Sequence, residues 1–485
     1  MSMGRGTLYL MFANSILFLS GYVIHFGLGR YLGPVDYGTF GVVLSLMTTI
    51  NFFVTSGIPM SASKYIAEDY SRAGSVIKDA NRIQLLFCFT LFSLYFGLAE
   101  VIANLLNDLS LTPYIRISAL AIPGYALYSI YSAGYLNGLR KFGRQAMSSI
   151  GVSITRIIAV SILVVVGFGV NGAIMGYVAT ALIGFLLAWR LLGQIDQSEV
   201  NPGWRRLVGF SIPATLFSVT FFFLMSIDLY VVKAIGVGEA EVGYYTSATT
   251  ISKLTYFLFA GLATSLFPSV SRSTSSNNAE LTNSYIRESM RYMFMLLIPG
   301  LLLISATSTE LLTLVYSSRY VSAASSLSIL AFGLGFLSIF FVLSNVIMGS
   351  DKPWIVLMMI LPLVAFDIGL NVFLVPRFGL LGAAWATTVT GFFGMGVSSL
   401  YVIRRLGALV ALKSLGRICL ASLIIYFIAL QIPLSPLWLP LLYIALFGLY
   451  MGILWLTMEL KRDDLATFKR LVPLGRFNDG ASLSP

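Results

Sequence analysis

Charged residues are scarce in this chain. Only 11% of its 485 residues are Asp, Glu, Lys or Arg, whereas 57% are hydrophobic, and the mean hydropathy is +0.87. Soluble domains carry roughly 25% charged residues, so this composition excludes an ordinary soluble protein. Apolar runs of about 20 residues, long enough to cross the ~30 Å hydrocarbon core as helices, recur throughout. The composition therefore predicts an all-α integral membrane protein.

Cysteine and histidine are also rare. Cys88 and Cys419 both fall inside apolar runs far apart in sequence, which predicts buried thiols and no disulfide framework. With a single histidine, the chain has no Cys/His cluster for zinc. No phosphate-binding G-x-x-x-x-G-K-[ST] loop occurs, and no predicted loop exceeds about 25 residues. We therefore expect neither an enzyme nor a resident cofactor or metal.

The apolar runs number fourteen, and the first shows no small-residue cleavage signature, which predicts a retained helix rather than a signal peptide. The runs lie at about 8–29, 37–60, 83–106, 112–136, 147–167, 170–191, 207–232, 242–268, 288–307, 323–348, 353–375, 380–403, 415–432 and 437–457.

The distribution of cations predicts the orientation. If the N-terminus is cytoplasmic, 24 of the 31 Lys and Arg residues lie on the cytoplasmic side, as the positive-inside rule requires. This places both termini in the cytoplasm and the protein in the cytoplasmic membrane. The net charge of +11 then reflects orientation. No nucleic-acid partner is expected, since no soluble domain could carry a basic face.

Three short motifs recur in one register. Thr55-Ser56-x-x-Pro59 returns as Thr264-Ser265-x-x-Pro268, Gly138-x-x-Lys141 as Gly349-x-x-Lys352, and Phe168-Gly169-x-x-Gly172-Ala173 as Phe378-Gly379-x-x-Gly382-Ala383. The offsets are 209, 211 and 210 residues. Such a duplication is typical of secondary transporters, whose substrate site lies between the repeats.

The duplication predicts the domain organisation. Six helices per repeat start and end each repeat on the same side, so the two lobes should be parallel, related by an axis along the membrane normal. Helices 13 and 14 lie outside the repeat as accessory helices, and we expect a monomer. The predicted units are an N-terminal six-helix lobe at 7–206, a C-terminal six-helix lobe at 207–405, accessory helices at 413–457 and a cytoplasmic tail at 458–485.

The loop between predicted helices 1 and 2 carries a family motif. Leu32-Gly33-Pro34-Val35-Asp36-Tyr37-Gly38 resembles the L-G-P-x-x-Y-G loop of the polysaccharide-transport branch of the multidrug/oligosaccharidyl-lipid/polysaccharide (MOP) exporter superfamily, which includes Wzx-type O-antigen flippases. The resemblance covers essentially the whole chain. It implies a V-shaped, two-lobed transporter that flips polyprenyl-linked sugars across the cytoplasmic membrane.

Two related branches remain as alternatives. Cation-coupled multidrug exporters often carry an acidic residue in helix 1, where this chain has Asn14 and His25 but no Asp or Glu. Lipid II flippases typically show an arginine cluster early in helix 1, whereas only Arg5 and Arg30 lie here, at its two ends. A non-transporting membrane scaffold is the alternative from another class.

Ionisable residues inside the predicted helices are the candidate site. Each costs about 2.5–3.5 kcal/mol to insert, so they are expected to face a cavity. In the first helix the register aligns Gly33 with Gly236, an offset of 203 residues, and maps His25 onto Asp228, whereas the offset of 211 residues maps Arg156 onto Asp367. Two amides are added because they could bind sugar hydroxyls. The candidates are His25, Asn51, Arg116, Arg156, Asp228, Lys253, Asp367 and Asn371.

Arg156 is the first candidate for contact with a substrate phosphate, and Lys253 and Arg116 are the next candidates, because guanidinium and ammonium groups bind phosphate oxygens. Asp228 and Asp367 would neutralise these cations or bind a coupling H⁺ or Na⁺. The competing interpretation is structural. The pairs Arg156–Asp367 and Lys253–Asp228 would hold the lobes together. Arg116 would extend its side chain to the membrane–water interface, and His25 would be a hydrogen-bonded packing residue.

The sequence thus predicts a flippase that works by alternating access. It would move a polyprenyl-(pyro)phosphate-linked oligosaccharide, with the prenyl tail in membrane lipid, for assembly of a surface polysaccharide or glycan.

Overall fold

The computed structural model describes residues 3–193, 204–276, 278–350, 352–407, 409–432 and 435–460. Every regular element in these ranges is a helix, as the apolar composition predicts. The predicted tail lies outside the described residues from position 461 onward.

The first half of the chain forms eight α-helices, with π-helical segments at Ile130–Leu136 and Val164–Phe168. They are α1 (Met3–Thr55), α2 (Gly57–Glu68), α3 (Ala73–Gly97), α4 (Ala99–Leu105), α5 (Thr112–Ala119), α6 (Ala121–Ser129), α7 (Phe142–Leu163) and α8 (Gly169–Leu192).

The second half forms the remaining helices. They are α9 (Trp204–Leu224), α10 (Ile227–Ile235), α11 (Glu239–Ser252), α12 (Leu254–Ser275), α13 (Ala279–Ala306), α14 (Ser308–Val315), α15 (Ala324–Gly349), α16 (Pro353–Phe378), α17 (Leu380–Leu406), α18 (Leu412–Gln431) and α19 (Leu439–Leu456).

The described residues contain nine helices long and apolar enough to cross a membrane, or ten if the bent pair Tyr70–Gly97 and Ala99–Leu105 is one span. The number of fourteen spans stays a prediction. Two of the nine helices, Tyr9–Glu68 and Phe142–Leu192, have 60 and 51 residues. At 1.5 Å per residue each is at least twice the ~30 Å thickness of the hydrocarbon core. The protein is a multi-pass membrane protein.

Glycines break the two long helices. Gly33 has φ 78° and ψ 175° inside α1, and Gly167 has φ 106° between α7 and α8. Residues with a Cβ rarely adopt these angles, whereas glycine does so without steric cost. The chain therefore leaves helical geometry near the middle of both runs, where the sequence places loops.

The third repeat motif has the same backbone conformation in both halves. Gly169 has φ 52° and ψ −131°, and Gly379 has φ 58° and ψ −134°. Three residues later, Gly172 and Gly382 each lie against a carbonyl of the preceding helix, at Leu163 and Leu374. The motif thus forms the same sharp turn and the same close contact between helices in both halves, and each of these features requires glycine.

The surface carries many large apolar side chains. Leu86, Met358 and Ile444 are 72%, 73% and 70% exposed. Exposed apolar residues of this kind are expected where the surrounding medium is lipid.

The predicted accessory helices attach to the second half, since α18 packs on α13 and Tyr450 of α19 donates a hydrogen bond to the Met295 carbonyl at 2.8 Å.

Replacing Gly379 with Ala should lower the thermal stability of the protein. Only glycine adopts its φ and ψ at no cost, and such strain amounts to about 1–3 kcal/mol. Gly396→Ala, in helix α17, which Gly379 directly precedes, has open space around the position and is the matched control. It should be neutral or stabilising, because Ala favours helix by about 1 kcal/mol over Gly. Thermal unfolding in detergent compares the two, and equal midpoints would contradict the prediction.

Candidate functional site at the interface of the two halves

Helix α1 of the first half packs directly on α11 of the second half. A Cβ on Gly38 would lie 2.7 Å from the Gly243 nitrogen, and one on Gly243 would overlap the Pro34 carbonyl. Glycine at both positions therefore lets the two backbones touch. Gly38 is the last residue of the L-G-P-x-x-Y-G motif, so the motif contains the contact point between the halves.

A hydrogen-bond network surrounds this contact, and we call its members His25, Tyr37, Thr250 and Tyr316 the tyrosine network. The Tyr37 hydroxyl lies 3.0 Å from His25 Nδ1, 2.8 Å from the Tyr316 hydroxyl and 3.4 Å from Thr250 Oγ1. Tyr22 adds a hydrogen bond to the Thr250 carbonyl at 3.3 Å. Tyr37 is thus the centre of a polar seal between the halves.

The same end of the molecule is closed by three further contacts. Arg30 Nε donates to the Val315 carbonyl at 3.0 Å, and the Tyr320 hydroxyl donates to the Gly29 carbonyl at 2.6 Å. Lys233 Nζ lies 2.5 Å from Asp108 Oδ2. We call this the closed end.

The Asp108 carboxylate at the closed end is held in its charged form. Burial raises the pKa of Asp108, but hydrogen bonds from Lys233 and Ser110 outweigh burial and bring the pKa below its usual range. The Lys233–Asp108 contact is therefore an ion pair at neutral pH.

Arg156 and Lys253 both lie within electrostatic range of His25, a member of the tyrosine network, and we call these three residues the cationic cluster. The Arg156 guanidinium lies 5.6 Å from the Tyr177 ring centre and within 3.7 Å of a Cβ placed on Gly21. Its Nε is buried with no hydrogen-bond partner. Arg156 and Lys253 both act electrostatically on His25. The cluster therefore combines cations of both halves.

The acidic candidates form a second group, the acidic cluster of Asp228, Asp367 and Asn371, and Lys253 lies within electrostatic range of Asp228. These residues are 1%, 0% and 0% exposed. Tyr245 and Thr387 donate to Asp228 Oδ2 at 2.7 and 3.1 Å. Asn371 Nδ2 donates to Asp367 Oδ2 at 3.1 Å, and the two carboxylates interact electrostatically.

Two oxygens of the acidic cluster lack a hydrogen bond of good geometry. They are the buried Asp367 Oδ1 and Asn371 Oδ1, and the Thr390 hydroxyl is the neighbouring donor to the Asp367 carboxylate. Oxygen ligands of this kind suit a proton or a hard cation. Within the described residues, no group of three or more His, Cys, Asp or Glu side chains could hold a metal ion.

The structural ion pairs considered from the sequence do not form. In the part of the chain that the structure describes, neither Arg156 nor Lys253 makes an ion pair. Lys253 attracts Asp228 only at longer range. Arg156 and Asp367 belong to different clusters. The described conformation therefore contains neither pair as a direct link between the halves.

Two other candidates lie apart from the clusters. Arg116 is exposed and lies 4.0 Å from Glu100, which agrees with its interpretation as an interfacial residue. Asn51 is 8% exposed and its Oδ1 has no hydrogen-bond partner.

Sequence reasoning missed the hydroxyl groups that complete the site: Tyr37, Tyr245, Thr250, Tyr316 and Thr387. Only Tyr37 carried a signal, as the tyrosine of the loop motif.

A model of a family described as polysaccharide biosynthesis protein matches residues 3–274, more than half of the chain. The chain belongs to this family. A second model, of the MatE family, matches residues 213–373. The predicted membership of the MOP superfamily, in its polysaccharide branch, is confirmed.

Relatives and solved structures agree with the family. The chain is 26% identical over 258 residues to the probable low-salt glycan biosynthesis flippase Agl15 of Haloferax volcanii, covering 53% of this chain and 54% of that protein, so it spans about half of that relative's length. It is 23% identical over 381 residues to a putative O-antigen transporter of Shigella flexneri, covering 75% and 89%. The lipid II flippase MurJ in an inward closed conformation superposes with a TM-score of 0.75 at 17% identity, covering 96% and 99%. This last likeness shows the fold.

Gly38→Ala should loosen the closed end, because the added Cβ would force α1 away from α11. Gly27→Ala, on the same helix with open space around it, is the control. Spin labels at Tyr31 and Ser318, in a background without Cys88 and Cys419, report the distance across the closed end. We expect a longer, broader distance distribution for Gly38→Ala alone. The same distribution in both variants would contradict the role of this contact.

Proposed function

We propose that this protein is a flippase that moves a polyprenyl-(pyro)phosphate-linked oligosaccharide across the cytoplasmic membrane by alternating access. The observation that carries the proposal is the cationic cluster, in which Arg156 and Lys253 come from different halves and neither is paired with a carboxylate. An anionic head group is the ligand that such a cluster attracts. The glycan flippase and O-antigen transporter among the relatives support this substrate class.

The proposed orientation places the closed end on the outer side of the membrane. With both termini in the cytoplasm, the Gly33 turn and the tyrosine network lie on the outer side. The described conformation is then closed to the outside, and the head group enters from the cytoplasm while the prenyl tail stays in lipid. Breaking the tyrosine network and the Lys233–Asp108 pair would open the outer side. The contacts at stake are hydroxyl hydrogen bonds, each contributing about 1 kcal/mol, and one largely buried ion pair, whose side chains are 11% and 21% exposed.

The acidic cluster is proposed to bind the coupling ion, H⁺ or Na⁺. Two buried carboxylates within interaction range repel each other when both are charged, so a bound proton or cation stabilises the pair. The family resemblance gives no nucleotide site, and the sequence carries no phosphate-binding loop. The energy for directed movement would then come from an ion gradient, the membrane potential or consumption of the product, and we propose the ion gradient.

Arg156→Gln should abolish translocation, and Arg156→Lys should retain only part of it, since an ammonium cannot reproduce the guanidinium fork. Arg144→Gln is the control, because Arg144 lies on the same helix α7 but is exposed and bonded to the Leu191 carbonyl. The assay uses liposomes with a fluorescent polyprenyl diphosphate sugar and an impermeant quencher. Full activity of Arg156→Gln would contradict the proposal.

The same assay separates the alternatives. The MatE match across residues 213–373 makes a cation-coupled drug exporter the second candidate, and movement of cationic drugs without the lipid would support it. Selective movement of lipid II would indicate the lipid II branch. Movement of no substrate under an imposed gradient would favour the scaffold.

Asp367→Asn should remove the response to an ion gradient, because an amide neither binds a proton near neutral pH nor supplies a charge for Na⁺. Asp69→Asn is the control, since Asp69 is exposed and caps Ser71. Translocation is measured with an imposed Na⁺ gradient and, separately, a pH gradient. We expect stimulation by one gradient in the wild type and in Asp69→Asn, but not in Asp367→Asn. Unchanged stimulation in Asp367→Asn would exclude this site.

A further inference from the structure

A cavity of about 690 Å³ lies away from the interface of the halves, between α13, α18 and the residues that follow α19. Its lining includes four cations, Arg287, Arg291, Lys413 and Arg417. By the predicted orientation this is the cytoplasmic end of the second half. None of the roles proposed above uses this cavity.

Glu459 organises the wall of the cavity. Its carboxylate is 5% exposed and lies 3.7 Å from Arg291 Nε and 3.5 Å from Arg417 Nη1, and it accepts a hydrogen bond from the Ser414 hydroxyl. One carboxylate thus forms ion pairs with two guanidinium groups, one from α13 and one from α18. The arrangement fixes both helices and leaves positive charge in excess at this wall.

The rest of the lining keeps that excess. Arg287 and Lys413 are exposed on α13 and α18, and Arg287 uses one donor on the Gly407 carbonyl at 3.3 Å. Glu280 and Glu288 are the remaining acids of the lining. The lining therefore holds four cations against three carboxylates, and its donors suit phosphate oxygens.

The cavity also adjoins the lipid-facing surface. Along α18, Leu412, Leu420 and Phe427 are 84%, 57% and 58% exposed. Apolar chains can lie on this helix while a polar group reaches the cavity at its start. Basic pockets between membrane helices on the cytoplasmic side are suited to anionic lipid head groups.

We propose that this cavity binds the phosphate-bearing head group of an anionic phospholipid, whose acyl chains lie along α18. Arg287 and Lys413 contact the phosphate, and the Glu459 clamp holds Arg417 beside them. The bound lipid ties α18 to α13 and so stabilises the attachment of the two accessory helices to the second half.

The test is lipid retention by the full-length protein in neutral detergent, measured by native mass spectrometry with phosphatidylglycerol or phosphatidylcholine added. The double variant Arg287→Gln/Lys413→Gln is compared with Lys78→Gln/Arg82→Gln, which removes two exposed cations of α3 outside the cavity. We expect wild type and control to retain phosphatidylglycerol over phosphatidylcholine. The cavity variant should retain at least fivefold less phosphatidylglycerol.

Further measurements keep the proposal falsifiable. Thermal unfolding without added lipid should be the same in both double variants, and phosphatidylglycerol should raise the midpoint only where the cavity is intact. Equal phosphatidylglycerol retention by the cavity variant would overturn the proposal. Inorganic phosphate that raises the midpoint as much as the lipid would identify a small-anion site and overturn the lipid assignment.

Discussion

The backbone contact between α1 and α11 is the constraint on which the rest of the site depends. Lipid provides no hydrophobic drive for helix association, so small residues and interhelical hydrogen bonds must hold the halves together. Gly38 and Gly243 allow the close approach, and the approach places Tyr37 within 2.8 Å of Tyr316. The polar contacts across this end are hydroxyl hydrogen bonds, the Arg30 bond to the Val315 carbonyl and the Lys233–Asp108 ion pair, whose partners water can replace when the halves separate. A seal of this kind is strong enough to close one side and weak enough to open.

The separation of charges is the second feature that needs a physical cause. Asp228 and Asp367 are buried, yet the cations of the cationic cluster do not pair with them. A structural role would favour direct pairs, since an unpaired charge in a membrane protein costs several kcal/mol. The arrangement is understandable if each cluster has its own ligand, an anion for the cations and a proton or cation for the acids. The free energy lost by leaving these charges unpaired would then be offset when each cluster binds its ligand.

Part of this could be predicted from sequence. Composition gave the membrane class, and the repeat of Gly169 at Gly379 anticipated a turn that the structure shows in both halves with nearly the same φ and ψ. The pairing of Arg156 with Asp367 could not be judged in the same way. A repeat register identifies positions related by the axis between the halves, and such positions touch only where they lie on the axis. The hydroxyl partners of Asp228 come from α11 and α17, a tertiary proximity that no sequence period encodes.

Helix α11 connects the separate parts of the site. Gly243 and Thr250 face the first half, Tyr245 donates to Asp228 of the acidic cluster, and Lys253 follows at the end of the same helix. Under the proposed function, an ion bound at Asp228 would compete for the oxygen that accepts the Tyr245 hydrogen bond, and would so act on the helix that carries Gly243 and Thr250. Such coupling requires that the ion bind the two conformations with different affinity, and that the head group do the same. Helix α11 would meet this requirement directly, because its residues contact the acidic cluster and the closed end, and Lys253 of the cationic cluster follows its last residue. A rigid-body shift of α11 would change all three at once.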